Sequence, residues 1–368
     1  MAITCSNFRH LSGPQIWRCE MKRTLSLLTV GLLVSGLVTA PAGASSVVTD
    51  PLASSQATAA EIATFWLGDG GAHLMSATPY SVQTAVDNVL PIGGIPADTK
   101  PGTVPPTPPS TSDPAKAKAP GTSGKVFFVG ADGQPHWCTG TAVQSQYRNL
   151  VATAAHCVYD TQRSYATLDK WVFVPGYSGG TTPWGLYVGK QVSGHYDFTT
   201  YDDYDRDYAF VNVYGGVVSS ASGGLTNFGR LVDNVGGQGL AWSQPLGSPV
   251  DVFGYPAGPH PDGTRPYTGE TIESSRGDTS AVRVPSLKAE ELMAVDSRFT
   301  GEGALGSSWL LRYDKASRMG YLNGITISVA DTDGSLRYDT SFSPYFDGEL
   351  AGVYSAAGAV WTGSVLPA

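Results

Sequence analysis

Short runs of β-branched and aromatic residues, separated by glycine-containing turns, fill the chain from about residue 124 onward. Such residues suit a pleated, half-buried surface, so each run predicts a β-strand. Many short strands with turns between them predict an all-β protein, built as a sandwich or as paired barrels. The predicted strands include KVFFVG (125–130), NLVATAA (149–155), KWVFVPGY (170–177), DYAFVNVYG (207–215), PVDVFGYPAG (249–258), ELMAVDSRF (291–299), SWLLRYD (308–314) and YLNGITISVAD (321–331).

Two segments have a helical pattern instead. AAEIATFWL (59–67) predicts a short amphipathic helix. Near the end of the chain, Asp347 is a suitable N-cap for a helix that runs to about Ala357. Leu350 and Val353 would lie on the inner face of that helix.

Composition narrows the class of protein. Charged residues make up 15% of the 368 residues, while 45 glycines and 25 prolines favour short strands and turns over long helices. The net charge of -8, with no basic stripe, makes nucleic acid a poor candidate partner. The length suits one two-lobed β domain with a leader, or two small domains.

The N-terminal region resembles an export signal. Lys22 and Arg23 give a basic start, residues 25–37 form an apolar run too short to span a membrane, and residues 42–44 (AGA) form a cleavage site. We therefore predict a signal peptide at 21–44, an upstream extension at 1–20 and a secreted protein with no membrane association after cleavage. The alternative is an N-terminal membrane anchor.

The residues between the signal and the predicted strands are rich in alanine, serine and proline. Prolines crowd together from 91 to 120, and proline fixes φ and donates no backbone hydrogen bond. We interpret 45–123 as a propeptide and an extended, solvated Pro-rich linker, and 124–368 as the folded domain.

Four cysteines are present, and removal of the leader would take Cys5 and Cys19 with it. The remaining two, Cys138 and Cys157, form an even pair in an exported chain, which predicts a disulfide. Two cysteines are too few for a metal site at ligand spacing. We expect neither a metal nor a cofactor.

The sharpest motif is TAAHC (153–157). It resembles the histidine motif of trypsin-like (chymotrypsin-fold) serine peptidases, and the domain is similar to secreted bacterial members related to glutamyl endopeptidases. The resemblance covers about residues 124–358. It implies two antiparallel six-stranded β-barrels with a short C-terminal helix and the site between the barrels. It also implies that His156 is the general base and that the disulfide between Cys138 and Cys157 tethers the histidine loop.

The carboxylate partner of the histidine is expected on a loop before a buried strand. Asp207 directly precedes YAFVNV (208–213), as the aspartate of the resembled family precedes its apolar strand. A buried aspartate in this role accepts the histidine Nδ1–H and fixes the tautomer. Three nearby aspartates compete for the role and are expected to face solvent: Asp202, Asp203 and Asp205.

The segment GEGALGSSWLL (301–311) has the pattern of the family's nucleophile loop, but Leu305 stands where serine is expected. Gly303 would direct its backbone N–H into the oxyanion hole. Leucine has no proton for the histidine to take and no lone pair to attack a carbonyl. Loss of the serine costs on the order of a millionfold in turnover, so we predict little or no hydrolysis.

Several alternatives remain open at this stage. Ser307 would serve as a substitute nucleophile if the loop were shifted, and the protein would then be an active endopeptidase. A second alternative is a non-catalytic, extracellular, monomeric protein that binds an extended peptide by strand addition.

The segment DTDG (331–334) resembles the start of a calcium-binding loop. Phe342 stands where an EF-hand needs glutamate, so the sequence favours a turn between two strands instead.

Overall fold

The computed structural model describes residues 46–110, 119–221 and 223–367. The predicted upstream extension (1–20) and signal peptide (21–44) lie outside the described residues. Within the described part, no helix is both long and apolar enough to cross a bilayer.

Six antiparallel strands close into a barrel in the first half of the domain. The strands are β5 (Ser123–Val129), β6 (Pro135–Val143), β7 (Leu150–Thr153), β8 (Asp169–Pro175), β9 (Tyr187–His195) and β10 (Ala209–Val213). Within the barrel each strand pairs with two neighbours, in the cyclic order β5, β6, β7, β10, β9, β8 and back to β5. All five residues of β10 are buried, which explains why its sequence is an almost unbroken apolar run.

A second, larger sheet follows in the same chain. Its strands are β13 (Gly239–Trp242), β14 (Pro249–Gly254), β15 (Glu273–Val284), β16 (Ala289–Asp296), β17 (Ser308–Asp314), β18 (Met319–Ile325), β19 (Ser328–Ala330) and β20 (Thr340–Pro344). The path runs β19, β20, β16, β15, β14, β17, β18, β13. Ile327 N–H donates to the Phe342 carbonyl at 2.8 Å, so the chain just after β18 meets β20 and the sheet curls back on itself. A separate hairpin joins β11 (Gly216–Ser219) to β12 (Leu225–Gly229).

The described helices are short and lie outside the sheets. They are α1 (Gln56–Leu67), α2 (Ala72–Ser76), α3 (Tyr196–Tyr201), α4 (Leu231–Val235) and α5 (Gly348–Gly358). The two predicted helices are confirmed as α1 and α5. The Asp347 side chain accepts a hydrogen bond from the Leu350 N–H at 2.9 Å, as expected of an N-cap. The prediction of an all-β, chymotrypsin-like architecture with a short C-terminal helix is confirmed.

Residues 46–110 pack against both sheets. β1 (Val47–Pro51) pairs with β9, β2 (Thr78–Pro79) with β6, β3 (Leu90–Pro91) with β15 and β4 (Gly102–Val104) with β13. Trp66 of α1 is fully buried, and its Nε1–H donates to the Lys170 carbonyl at 2.7 Å. The Pro-rich stretch was expected to be solvated, but β4 lies within it and is paired. Three residues without proline leave enough backbone donors for a short ladder. The division at residue 123 stays a prediction about processing.

The DTDG segment lies, as predicted, between two paired strands, β19 and β20. Carboxylates of Asp331, Asp333 and Asp339 come close to one another there. They already accept hydrogen bonds from neighbouring backbone N–H groups, including that of Ser335 to Asp331 at 3.1 Å. The turn therefore supplies hydrogen-bond donors to its own carboxylates.

Candidate active site

The sequence-predicted histidine and aspartate meet in the structure. His156 lies in a 3₁₀-helix, Ala155–Cys157, just after β7, and Asp207 lies just before β10, the strand paired with β7. His156 Nδ1 is 2.5 Å from Asp207 Oδ2, and the His156 backbone N–H donates to Asp207 Oδ1 at 2.9 Å. Both side chains are fully buried. A carboxylate held in this way keeps the proton on Nδ1 and leaves Nε2 as the proton acceptor.

A disulfide fastens the histidine turn to the barrel. Cys138 of β6 and Cys157 are bonded, with their Cα atoms 6.3 Å apart, which confirms the predicted pair. The Cys157 carbonyl also accepts a hydrogen bond from Trp171 Nε1–H at 3.1 Å. The position of the imidazole is therefore set by covalent and polar contacts on both sides.

The three competing aspartates have other partners. Asp202 is exposed and pairs with Lys288 at 2.8 Å. Asp203 accepts a hydrogen bond from the Asp205 N–H at 3.0 Å. The expectation that Asp205 faces solvent is wrong. Its carboxylate is buried against β16 and accepts the N–H groups of Glu290 and Glu291 at 2.8 and 2.9 Å. Burial raises the pKa of Asp205 to about 6.

The loop that carries position 305 packs tightly against β6. The Leu305 carbonyl accepts the Thr139 N–H at 2.8 Å, and the Leu305 side chain is fully buried. Gly303 and Gly306 have φ of +73° and +86°, a region that glycine tolerates best. A Cβ at Gly306 would lie 2.0 Å from the Thr139 carbonyl oxygen, so the backbone could not approach β6 with a larger residue there.

Ser307, the predicted substitute nucleophile, makes no hydrogen bond to the histidine. Its hydroxyl donates to the Ala304 carbonyl at 2.5 Å and is fully buried. A Cβ placed on Gly254 would lie 1.8 Å from the Ser307 Oγ, so the hydroxyl fills the space that this glycine leaves open. His156 Nε2 has no hydrogen-bond partner among the described residues. The structure does not bring Ser307 and His156 together.

Arg206 connects the loop of Asp207 to the C-terminal helix. Its guanidinium lies 3.5 Å from Asp347 Oδ2 and 2.6 Å from Glu349 Oε2. Burial raises the pKa of Asp347, while Arg206 acts in the opposite direction. Because Arg206 directly precedes Asp207, these ion pairs help to position the Asp207 carboxylate beside His156.

A buried lysine, which sequence reasoning missed, lies behind the same loop. Lys125 Nζ is 3.6 Å from the centre of the Trp137 ring and 4.4 Å from that of Tyr177. A Cβ at Gly303 would lie 2.7 Å from Trp137 Nε1, so the indole separates Lys125 from the loop. Burial lowers the pKa of Lys125 to about 7.

Residues 78–92 also reach the site, and sequence reasoning missed them as well. The Gly303 N–H, the predicted oxyanion-hole donor, points to the Tyr80 carbonyl at 3.4 Å. Further along, Val86 N–H donates to the Val329 carbonyl at 3.0 Å. The signal that would have revealed this segment is the alternation of apolar residues in YSVQTAVDNVL (80–90), which is typical of a half-buried strand.

Comparison of structures finds similar proteins, whereas comparison of sequences does not. No protein-family model and no curated protein matches the sequence. The thermostable serine protease AL20 from an extremophilic microorganism superposes with a TM-score of 0.54 and 23% identity, covering 66% of this chain and 99% of that protease. Protease Anisep from Arthrobacter nicotinovorans gives 0.53 and 22%, covering 70% and 100%. A structure of a Glu endopeptidase gives 0.47 and 15%, covering 76% and 100%.

These similarities establish the fold. The two protease structures with TM-scores above 0.5 are matched over almost their whole length by this chain. The predicted resemblance to trypsin-like serine peptidases is therefore confirmed as a trypsin-like, chymotrypsin-type fold. The fold alone does not determine the activity of this chain, because one fold hosts many activities.

Proposed function

We propose that this protein has a serine-endopeptidase scaffold with a histidine–aspartate pair but little or no peptide-bond hydrolysis. The observation that carries the proposal is the fully buried hydrocarbon side chain of Leu305 in the loop where the nucleophile is expected. His156 and Asp207 are arranged to accept a proton, but position 305 has no hydroxyl to supply one.

The orientation of Ser307 supports the same conclusion. An activated serine needs its hydroxyl within hydrogen-bond reach of the base, at roughly 2.6–3.2 Å. The Ser307 hydroxyl is instead bonded to the Ala304 carbonyl. To activate Ser307, the loop would have to break that bond and lose the close contact with β6 that Gly306 permits.

A fluorophosphonate probe tests this proposal, because it labels only activated serines. We expect no labelling of the native chain and labelling at residue 305 in the Leu305→Ser variant. Leu305→Ala is the matched control, since it removes the same hydrocarbon without adding a hydroxyl. Stoichiometric labelling of Ser307 or any other cleft serine in the native chain would overturn the proposal. A Leu305→Ser variant that is inert although His156 is accessible to solvent would show that other parts of the site have also decayed.

We also propose that the protein acts outside the cell as a monomer and that its ligands are extended peptides. The N-terminal export pattern and the Cys138–Cys157 disulfide support an oxidising compartment. N-terminal sequencing of the protein recovered from the culture medium tests whether it is exported. A first residue at or beyond position 45 is expected, and retention of the chain in the cell fraction would contradict it.

A further inference from the structure

Residues 78–92, which we call the strap, cross the site from the first barrel to the second sheet. At its start, β2 pairs with β6 and the Tyr80 N–H donates to the Trp137 carbonyl at 2.9 Å. At its end, β3 pairs with β15 and the Ile92 N–H donates to the Ala281 carbonyl at 3.1 Å. Both sides of the site are therefore linked by one continuous segment of the chain.

The first half of the strap lies against the groups that a substrate would need. The Tyr80 carbonyl accepts the Gly303 N–H, as the oxygen of a bound acyl group would. The Thr84 carbonyl packs on Gly301, where a Cβ would lie only 2.5 Å from that oxygen. The Thr84 carbonyl also accepts the Val329 N–H at 3.0 Å. These are backbone contacts, the kind that an extended peptide of any sequence makes when it adds to a sheet edge.

The strap also contacts Tyr204, whose ring lies beside that of the histidine. Gln83 Oε1 accepts hydrogen bonds from the Tyr204 hydroxyl and, at 3.3 Å, from Thr161. The Tyr204 ring centre lies 6.4 Å from that of His156. His156 is fully buried, which is unsuitable for a general base that must reach a substrate from solvent.

We propose that the strap is an intramolecular inhibitor that occupies the peptide-binding groove and closes the site. The strap lies within 45–123, the segment predicted to be a propeptide, so cleavage C-terminal to it would free the groove for an extended polypeptide. Its role does not depend on the residue at position 305, because it controls access to His156 and Gly303. The strap is held by backbone bonds at both ends and by the buried side chains of Tyr80 and Val86, so it should open as one local unit when these contacts are broken.

Chemical modification of His156 in the full chain tests the strap. Diethyl pyrocarbonate reacts with accessible imidazole nitrogens, and peptide mapping reports each histidine separately. Val86→Pro removes the N–H that bonds to the Val329 carbonyl. Gly301→Ala adds a Cβ that would clash with the Thr84 carbonyl oxygen. We expect either variant to speed modification of His156 by at least about tenfold. The half-buried His73 of α2, which bonds to the Phe65 carbonyl, should react as in the native chain.

Asp87→Ala is the matched control, because Asp87 is an exposed residue of the same segment. It should leave His156 as protected as in the native chain. Folded variants, judged by native near-ultraviolet circular dichroism, in which His156 stays protected would overturn the proposal.

Hydrogen exchange of the unmodified full chain provides a second measurement, which needs no variant. We expect peptides covering 78–92 and 326–330 to exchange together and faster than β17. Exchange of 78–92 as slow as that of β17 would show that the strap is part of the core and would also overturn the proposal. This proposal and the one about position 305 can fail separately, because access to His156 is measured here without a nucleophile at position 305.

Discussion

Substitution of the buried Lys125 should make the stability of the protein less dependent on pH. The ammonium lies among aromatic rings, 3.6 Å from the centre of Trp137, and burial lowers its pKa from 10.5 to about 7. Between these values the unfolded chain binds a proton that the folded chain does not, so the free energy of unfolding rises as the pH rises. Below about pH 7 both states carry the proton, and the full cost of burying the charge is present.

The magnitude follows from the shift. One pKa unit corresponds to about 1.4 kcal/mol, so the cost is about 5 kcal/mol at low pH. It falls by about 2 kcal/mol between pH 7 and pH 9. Lys125→Met fills a similar volume without charge, and its sulfur suits an aromatic site. The variant should be more stable than the native chain at pH 7, by a margin that narrows by about 2 kcal/mol at pH 9.

Urea unfolding of both proteins across this pH range measures the margin. Lys190→Met is the control, because Lys190 also lies near an aromatic ring, 5.7 Å from the centre of Tyr214, but is only half-buried. A margin that stays constant with pH, or the same narrowing in the control, would refute the reasoning from burial.

The remaining predictions concern the supports of the site. Replacement of both Cys138 and Cys157 by serine should cost about 3 kcal/mol of unfolding free energy in urea, because the bond closes a loop with a sequence separation of 19; an unchanged midpoint would contradict this. Trp66→Ala should cost about 3–5 kcal/mol, since the ring is fully buried, and a cost below about 1 kcal/mol would show that α1 is not part of the cooperative unit. Asp347→Asn keeps a capping oxygen and loses only the contact with Arg206, so it should destabilise less than Asp347→Ala, which loses both.

Local patterns were sufficient to predict that His156 and Asp207 form a pair and that the last helix is present. Each depends on neighbours in sequence: TAAHC surrounds His156, and an apolar strand follows Asp207. Asp205 differs, because its environment is set by the N–H groups of Glu290 and Glu291, which are remote in sequence. No local pattern distinguishes an aspartate that faces solvent from one that reaches a distant strand.

Strands with polar sequences were missed for a related reason. β15 reads ESSRGDTSAVRV, and five of its twelve residues are exposed. Its pairing with β14 and β16 places it in the sheet despite a composition that resembles a loop. β20 reads TSFSP and is buried throughout because it lies between β16 and β19. Tertiary pairing overrides the weak strand propensity of serine in both cases.

The two proposals each place a separate obstacle to catalysis, at position 305 and at the strap, and labelling rates distinguish the two obstacles. Leu305→Ser restores a nucleophile but leaves the Gly303 N–H bonded to Tyr80, so labelling by fluorophosphonate should be limited by how often the strap opens. Leu305→Ser combined with Val86→Pro should label faster, by the same factor by which Val86→Pro alone speeds modification of His156. Equal labelling rates in the single and double variants would mean that the strap does not control access. Two inert variants with an accessible His156 would locate the fault in the nucleophile loop instead.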